Sequence, residues 1–134
     1  MVIQYKNTKT LNETDLQKLF LSVNWSSGHY PQKLALAMKN SGTVFTAWAD
    51  TQLVGLINAL DDGAMTAYVH YLLVNPAYQG KGIGKELVRL LTEKYKDYLR
   101  IVLVAYDKEI DFYKKCGFQT GTETTPMLIT SLWT

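Results

Sequence analysis

Gln79-Gly80-Lys81-Gly82-Ile83-Gly84 places glycines on alternate positions directly before an amphipathic run. With no Cβ in the way, the N–H groups of such a loop can approach a ligand closely. The run itself carries Ile83, Leu87, Leu90 and Leu91 at helical spacing, with Lys85, Glu86, Arg89 and Glu93 directed elsewhere. The start of a helix presents N–H groups with no partner inside the helix, at the positive end of its dipole. That arrangement binds phosphate, and Lys81 and Lys85 add charge beside it. The common nucleotide motifs do not fit. A P-loop has four residues between its first glycine and Gly-Lys-Ser/Thr, whereas Gly80 and Gly84 enclose three, and Glu86 follows Lys85. The dinucleotide fingerprint G-x-G-x-x-G is missed too, because this loop reads G-x-G-x-G.

Neighbouring residues extend the pattern. Val74, Pro76, Gln79, Gly80, Gly82 and Gly84 satisfy V-x-P-x-x-Q/R-G-x-G-x-G/A, and Phe112-Tyr113-Lys114-Lys115-Cys116-Gly117-Phe118 supplies an F-Y-x-K-x-G-F further along. In this order the two motifs resemble those of the GNAT superfamily of N-acetyltransferases. The resemblance implies an α/β (α+β) fold. Its mixed central sheet of six to seven strands is mostly antiparallel, with a central parallel pair that splays apart, and about four helices flank it. It also implies acetyl-CoA as co-substrate. The main chain of Leu72, Leu73 and Val74 would then hold the pantetheine arm. The N–H groups of Gln79, Gly80, Lys81, Gly82, Ile83 and Gly84 would hold the pyrophosphate, with Lys85 beside them.

Acetyl transfer to an amine needs a proton acceptor for the incoming ammonium, a donor for the developing oxyanion and a proton for the leaving thiolate. His70, with an ordinary imidazole pKa near ~6.5, is the candidate base, four residues before Val74 on the same apolar run. Many such enzymes pass this proton through ordered water instead, and the alternative for His70 is a packed sheet residue. Alternation along the strand turns Tyr71 to the opposite face, toward the core. Tyr113 is the candidate acid, since the family places a tyrosine there beside the thioester sulfur. A phenol near ~10 protonates a thiolate whose thiol sits near ~8.5 at small cost. A backbone N–H between Leu72 and Val74 would serve the oxyanion. Tyr106 stands where many family members carry a cofactor-facing asparagine. Cys116 lies at the negative end of its helix, which disfavours a thiolate nucleophile and favours direct transfer. Trp25, His29 and Tyr30 occupy a loop that borders the acceptor site in the family, and suit a small apolar or cationic amine.

The elements that must position these groups read as follows. Val2 to Lys6 is a short strand; a capping box at Thr14-Asp15-Leu16-Gln17 opens a helix. Pro31 starts a second helix that runs to about Asn40. Strands over Thr43 to Ala49 and Gln52 to Leu60 meet at Asp50-Thr51, and a third covers Tyr68 to Val74. Arg100 to Ala105 reads as a strand buried on both faces, Asp107 as the cap of a short helix, and Pro126 to Trp133 as a last strand.

At 134 residues the whole chain, 1–134, is expected to form one domain. A net charge of +2 with dispersed lysines speaks against a nucleic-acid partner. One cysteine excludes a disulfide framework, and no metal site is expected. No apolar run approaches a membrane span and no leader is visible, so a cytoplasmic protein without membrane association is the expectation. The reading that follows is transfer from acetyl-CoA to a primary amine, of a small molecule rather than a protein, by a monomer or homodimer. Trp133 is a candidate for a dimer contact. A CoA-binding sensor without turnover and a protein lysine or N-terminal acetyltransferase remain alternatives.

Overall fold

In the computed structural model, which describes residues 2–134, the chain forms five strands and four α-helices. β1 (Ile3–Asn7) leads into α1 (Glu13–Ser22), a 3-10 turn (Ser26–His29) and α2 (Pro31–Asn40). The strands β2 (Thr43–Ala49), β3 (Gln52–Asp61) and β4 (Thr66–Val74) follow, then α3 (Ile83–Lys94), β5 (Arg100–Leu103) and α4 (Ile110–Lys115). The sheet order is β1-β2-β3-β4-β5. Every pairing is antiparallel except β4 with β5, which is parallel and is joined through α3. A parallel neighbour requires such a crossover.

Local signals account for most boundaries. Asn12 caps α1 by accepting the N–H groups of Thr14 at 2.7 Å and Asp15 at 3.2 Å. Thr14, expected as the cap, therefore lies inside the first turn. Pro31 occupies the first turn of α2, where its missing N–H costs nothing. Asp50, at φ 53, takes the left-handed conformation that the tight β2–β3 connection requires. The Asp62 carboxylate gathers the N–H groups of Ala64, Met65 and Thr66 and so fixes where β4 begins.

The sheet is covered on both faces. On one face α3 buries Ile83, Leu87, Val88 and Leu91 against Val54, Ile57, Ala67 and Val69. On the other, α1 and α2 bury Leu16, Phe20, Leu34 and Met38 against Val44, Leu56 and Leu73. Each such side chain contributes about 1.5–3 kcal/mol relative to exposure.

Four expectations need correction. The sheet has five strands among the described residues rather than six to seven, because Pro126 to Trp133 forms no strand. Met127 and Ile129 there are solvent-exposed, and the tail instead ends against the 3-10 turn. The main-chain oxygen of Thr134 accepts from Ser27 N at 2.7 Å and from the hydroxyls of Ser26 and Ser27 at 2.7 and 2.8 Å. The parallel pair consequently lies at the sheet edge rather than its centre. For the same reason β5 is shorter than Arg100 to Ala105 and alternates between exposed and half-buried. The strand buried on both faces is β3, third of the five. Asp107 does not cap α4; it opens a 3-10 turn (Asp107–Glu109) whose flanking residue is Tyr106.

At one end of the sheet, buried Tyr95 ties β2 to β3. Its hydroxyl lies 2.7 Å from Thr43 Oγ1 and 2.6 Å from Asp61 Oδ2, and burial followed by the Asp61 carboxylate pushes the phenol pKa well up. Replacing Tyr95 with Phe removes both contacts and leaves their partners short of a hydrogen bond. The expected loss is about 1–3 kcal/mol, or roughly 4 °C or more in Tm. An unchanged thermal transition would show that solvent satisfies Asp61 and Thr43 fully.

Candidate active site

The cleft arises where β4 and β5 part. Their pairing runs from Thr66↔Arg100 to Val69↔Leu103 and then stops, while β4 continues to Val74 against β3. Beyond Val69 the β5 side of β4 has no strand. The N–H of Tyr71 points to β3, where Asn58 Oδ1 accepts it at 2.9 Å, and the N–H of Asn75 reaches Val54 O at 2.8 Å. Main-chain groups alternate sides along a strand, so Leu72 and Val74 turn theirs to the open side. The Val74 carbonyl is taken by Gln79 Nε2 at 2.9 Å, which ties the glycine loop to the end of the strand.

Gly80 and Gly82 adopt φ of +79 and +83, conformations that disfavour any side chain, and a Cβ on either would meet only open space. Gly82 also forms the N-terminal boundary of α3 with no side-chain cap, so the first-turn N–H groups stay available to a ligand. The one acidic residue in that turn, Glu86, is turned aside. Arg89 grips it through two contacts of 2.6 and 2.8 Å, which hold its carboxyl below the usual carboxylate range. Lys85 lines the cleft beside this helix end. The donor set therefore suits a pyrophosphate, and the open edge of Leu72 and Val74 suits an amide-bearing arm.

The cleft measures about 690 Å³. Of the residues assigned to the cofactor from sequence, Leu72, Leu73, Val74, Gln79, Gly80, Gly82, Ile83, Gly84 and Lys85 line it, and exposed Lys81 does not. Both candidate catalytic groups reach it, His70 from β4 and Tyr113 from α4. Trp25 reaches it as well. His29 and Tyr30 do not, because the 3-10 turn buries Ser27 and Gly28 and leaves the next two residues facing outward. Tyr30 instead carries the Lys33 ammonium 5.9 Å from its ring.

His70 departs from strict alternation. Asn58 pairs with Tyr71 and Ala59 with Val69, so His70 is the extra residue of a β-bulge. Ala67 and Val69 face α3, while Tyr71 and Leu73 face α1 and α2; the parity flips across His70. As a result the His70 and Tyr71 rings stack, with centroids 4.0 Å apart and planes 22° apart. Tyr71 thus packs against the α1–α2 core as expected, but it also lines the cleft and lies beside His70 rather than turned away from it. Phe20 meets its ring edge-on at 4.9 Å, and its hydroxyl lies 3.0 Å from Ser27 Oγ. The His70 ring is accessible along the cleft yet crowded by Tyr68 and Tyr71, and this desolvation holds its pKa below the ordinary imidazole value. At neutral pH it is therefore an unprotonated acceptor.

Across the cleft, burial pushes the Tyr113 phenol up to about 12, with Glu109 and then Cys116 adding to the rise. Tyr106 and Glu109 line the same wall, and Cys116 does not reach it. Burial raises the Cys116 thiol as well, which further removes it as a nucleophile. Trp133 and Thr134 line the rim beside Trp25, Thr134 being held on the adjacent Ser26. Neither was legible as a site residue, since their anchor on Ser26 and Ser27 spans the whole chain.

The acetyltransferase (GNAT) family model matches residues 11–118. A histone acetyltransferase of Glycine max is 34% identical over 122 residues, covering 81% of this chain and 52% of its own length. An uncharacterized N-acetyltransferase of Pyropia yezoensis is 30% identical, covering 87% of this chain and 70% of its own. The chain thus spans about half the length of the first of these relatives. A GNAT family acetyltransferase from Streptococcus pneumoniae superposes with a TM-score of 0.85 at 26% identity, over 97% of this chain and 98% of its own.

Replacing Gly82 with Val tests the loop. Its Cβ meets no protein atom, so the cost to the fold is confined to the strained φ, about 1–2 kcal/mol. The space it fills is the ligand's, and affinity for acetyl-CoA is expected to fall by about tenfold or more in a calorimetric titration. Retained affinity would remove the loop from phosphate binding.

Proposed function

The chain belongs to the acetyltransferase (GNAT) family, and on that premise we propose that it transfers an acetyl group from acetyl-CoA directly to a primary amine of a small molecule. One observation carries the reading: the unpaired edge of β4, the uncapped start of α3, His70 and Tyr113 all open on the same cleft. The glycine loop and Lys85 hold the phosphates, and the main chain of Leu72 and Val74 aligns the arm. Acetyl-CoA supplies the activated acyl group.

Each protein group then has a defined task. His70, unprotonated at neutral pH, accepts the amine's proton, directly or through water. The Leu72 N–H, directed to the open side, donates to the developing oxyanion. Tyr113 stays protonated at every working pH. Its raised pKa changes the task expected from sequence. Handing its proton outright to a thiolate near ~8.5 would run uphill by about 5 kcal/mol. The phenol instead stabilises the departing sulfur as a hydrogen-bond donor, and its proton moves only as another is supplied.

The acceptor end supports a compact amine. Trp25, Tyr71 and Trp133 surround it, Glu109 supplies a carboxylate for an ammonium group, and the anchored tail closes the rim. The Glycine max relative is named for histones, so histone-tail peptides belong in the acceptor panel. Titration with acetyl-CoA, followed by thiol-release assays over small amines and lysine peptides, tests the proposal. Turnover on a small amine is the expected result. Turnover on peptides alone would transfer the reading to a protein acceptor, and tight binding without any turnover would leave a sensor.

Two substitutions test the roles. Tyr113→Phe is expected to lower kcat by roughly a hundredfold while the KM for acetyl-CoA holds within a factor of about two. An unchanged kcat would remove the phenol from the reaction. In the wild-type protein the acidic limb of kcat/KM against pH should fall below the ordinary imidazole value, because protonated His70 accepts nothing. His70→Gln should abolish that limb, and its persistence would assign the base to another group.

A further inference from the structure

We propose that Asn58 is a positioning residue for acetyl transfer, holding the β4 bulge that sets His70, Tyr71 and the Leu72 N–H against the cleft. The catalytic part of this inference rests on the acetyltransferase reading above; the geometric part does not. β3 and β4 run in step from Gly55↔Val74 to Asn58↔Tyr71 and resume one residue out of step at Ala59↔Val69. An extra residue in a ladder leaves main-chain groups without their regular partners. Here the Asn58 side chain supplies one, its Oδ1 accepting the Tyr71 N–H at 2.9 Å.

The orientation of that amide is determined by its neighbours. The Tyr71 N–H can only donate, so Oδ1 must face it, and Nδ2 then faces Ser41 Oγ at 3.0 Å. The Ser41 hydroxyl donates to the Ala37 carbonyl at 2.8 Å, leaving its lone pairs toward Asn58. A relay thus runs from the last turns of α2 through Ser41 and Asn58 to the bulge, with Ser41 2% and Asn58 1% exposed. No solvent competes for these bonds. Asn58 is flanked on β3 by Leu56, Ile57 and Ala59, all buried. An amide buried among them is costly unless every bond is made, and an apolar residue would serve packing alone at least as well.

The bulge has three consequences for the site. It brings His70 and Tyr71 onto one face and into a ring stack. It commits the Tyr71 N–H to β3 and thereby directs the Leu72 N–H to the open side. It also places the Tyr71 hydroxyl on Ser27, beside the anchor of the tail. Without an acceptor at position 58, the ladder is completed most simply by a one-residue slip of β4, which reverses the faces of the slipped residues.

The test reads position as well as rate. The chain has two histidines, so an imidazole NMR titration resolves His70 once His70→Gln has assigned it. Tyr68 and Tyr71 flank the ring, and Lys85, Tyr106, Lys108, Glu109 and Tyr113 line the same cleft, so the comparison is made between variants that retain all of these. For Asn58→Leu, kcat is expected to fall by roughly tenfold to a hundredfold with the Kd for acetyl-CoA held within about threefold. The His70 midpoint should rise toward its ordinary value of ~6.5, and hydrogen exchange at the Tyr71 amide should accelerate. Asn58→Asp keeps an acceptor oxygen and should restore slow exchange at the Tyr71 amide, while its added negative charge excludes it from the His70 comparison. If Asn58→Leu lowers Tm but keeps kcat, the His70 midpoint and Tyr71 protection, the proposal is overturned. Should that variant not fold, Ser41→Ala breaks the relay one step back and must shift the same readouts in the same direction; no shift overturns the proposal equally. If the wild-type protein acetylates no amine, the functional reading fails, while the titration and exchange still decide what Asn58 holds.

Discussion

From His70 to Val74, β4 has a strand on one side only, and the remaining features of the cleft depend on that one-sidedness. β5 follows β4 for four residues, from Arg100 to Leu103, and then leaves it. Main-chain polar groups stripped of a ladder partner must find another or stay wet. Along β4 they find Gln79 at the Val74 carbonyl, and otherwise remain turned to the opening. The loop, the uncapped helix and the two aromatic walls then stand around a strip of unspent hydrogen-bonding capacity. The bulge at His70 matters because it decides which residues of that strip face which way.

How far the site could be read from sequence depended on how local each signal was. The glycine loop, the helix behind it and the F-Y-x-K-x-G-F segment were legible because each is a contiguous pattern whose geometry is set by its own residues. Nine of the ten residues assigned to the cofactor line the cleft for this reason, the exception being Lys81, whose charge was visible but whose direction was not. His70 and Tyr113, singled out by chemical type and place, both reach the cleft.

The features that escaped depend on partners far along the chain. Tyr71 was assigned away from His70 because period-two alternation is a sound rule for an unbulged strand, and the bulge is secured by Asn58, which no local pattern marks. His29 and Tyr30 shared a loop with Trp25, but the burial of Ser27 and Gly28 turned them outward. The segment from Pro126 to Trp133 has the composition of a strand, yet composition does not provide a ladder. The count of six to seven strands carried over that segment and the family pattern together, and five is what the pairing supports.

With the sheet formed, the anchor of Thr134 on Ser26 and Ser27 closes only the segment beyond Phe118, about 16 residues, which by chain statistics costs roughly 2–3 kcal/mol. A handful of hydrogen bonds, each worth about 1 kcal/mol net, holds the tail against that cost by a margin of about 1–3 kcal/mol. Little else holds the tail, since Met127 and Ile129 are exposed. The tail therefore belongs to the least protected part of the molecule, and it can lift from its seat by local unfolding while the sheet stays intact. Because Trp133 and Thr134 close one rim of the cleft, such an excursion widens the acceptor end without disturbing the phosphate end. The two halves of the cleft thus differ in rigidity as well as in chemistry: a fixed berth for one reactant, and a yielding wall for the other.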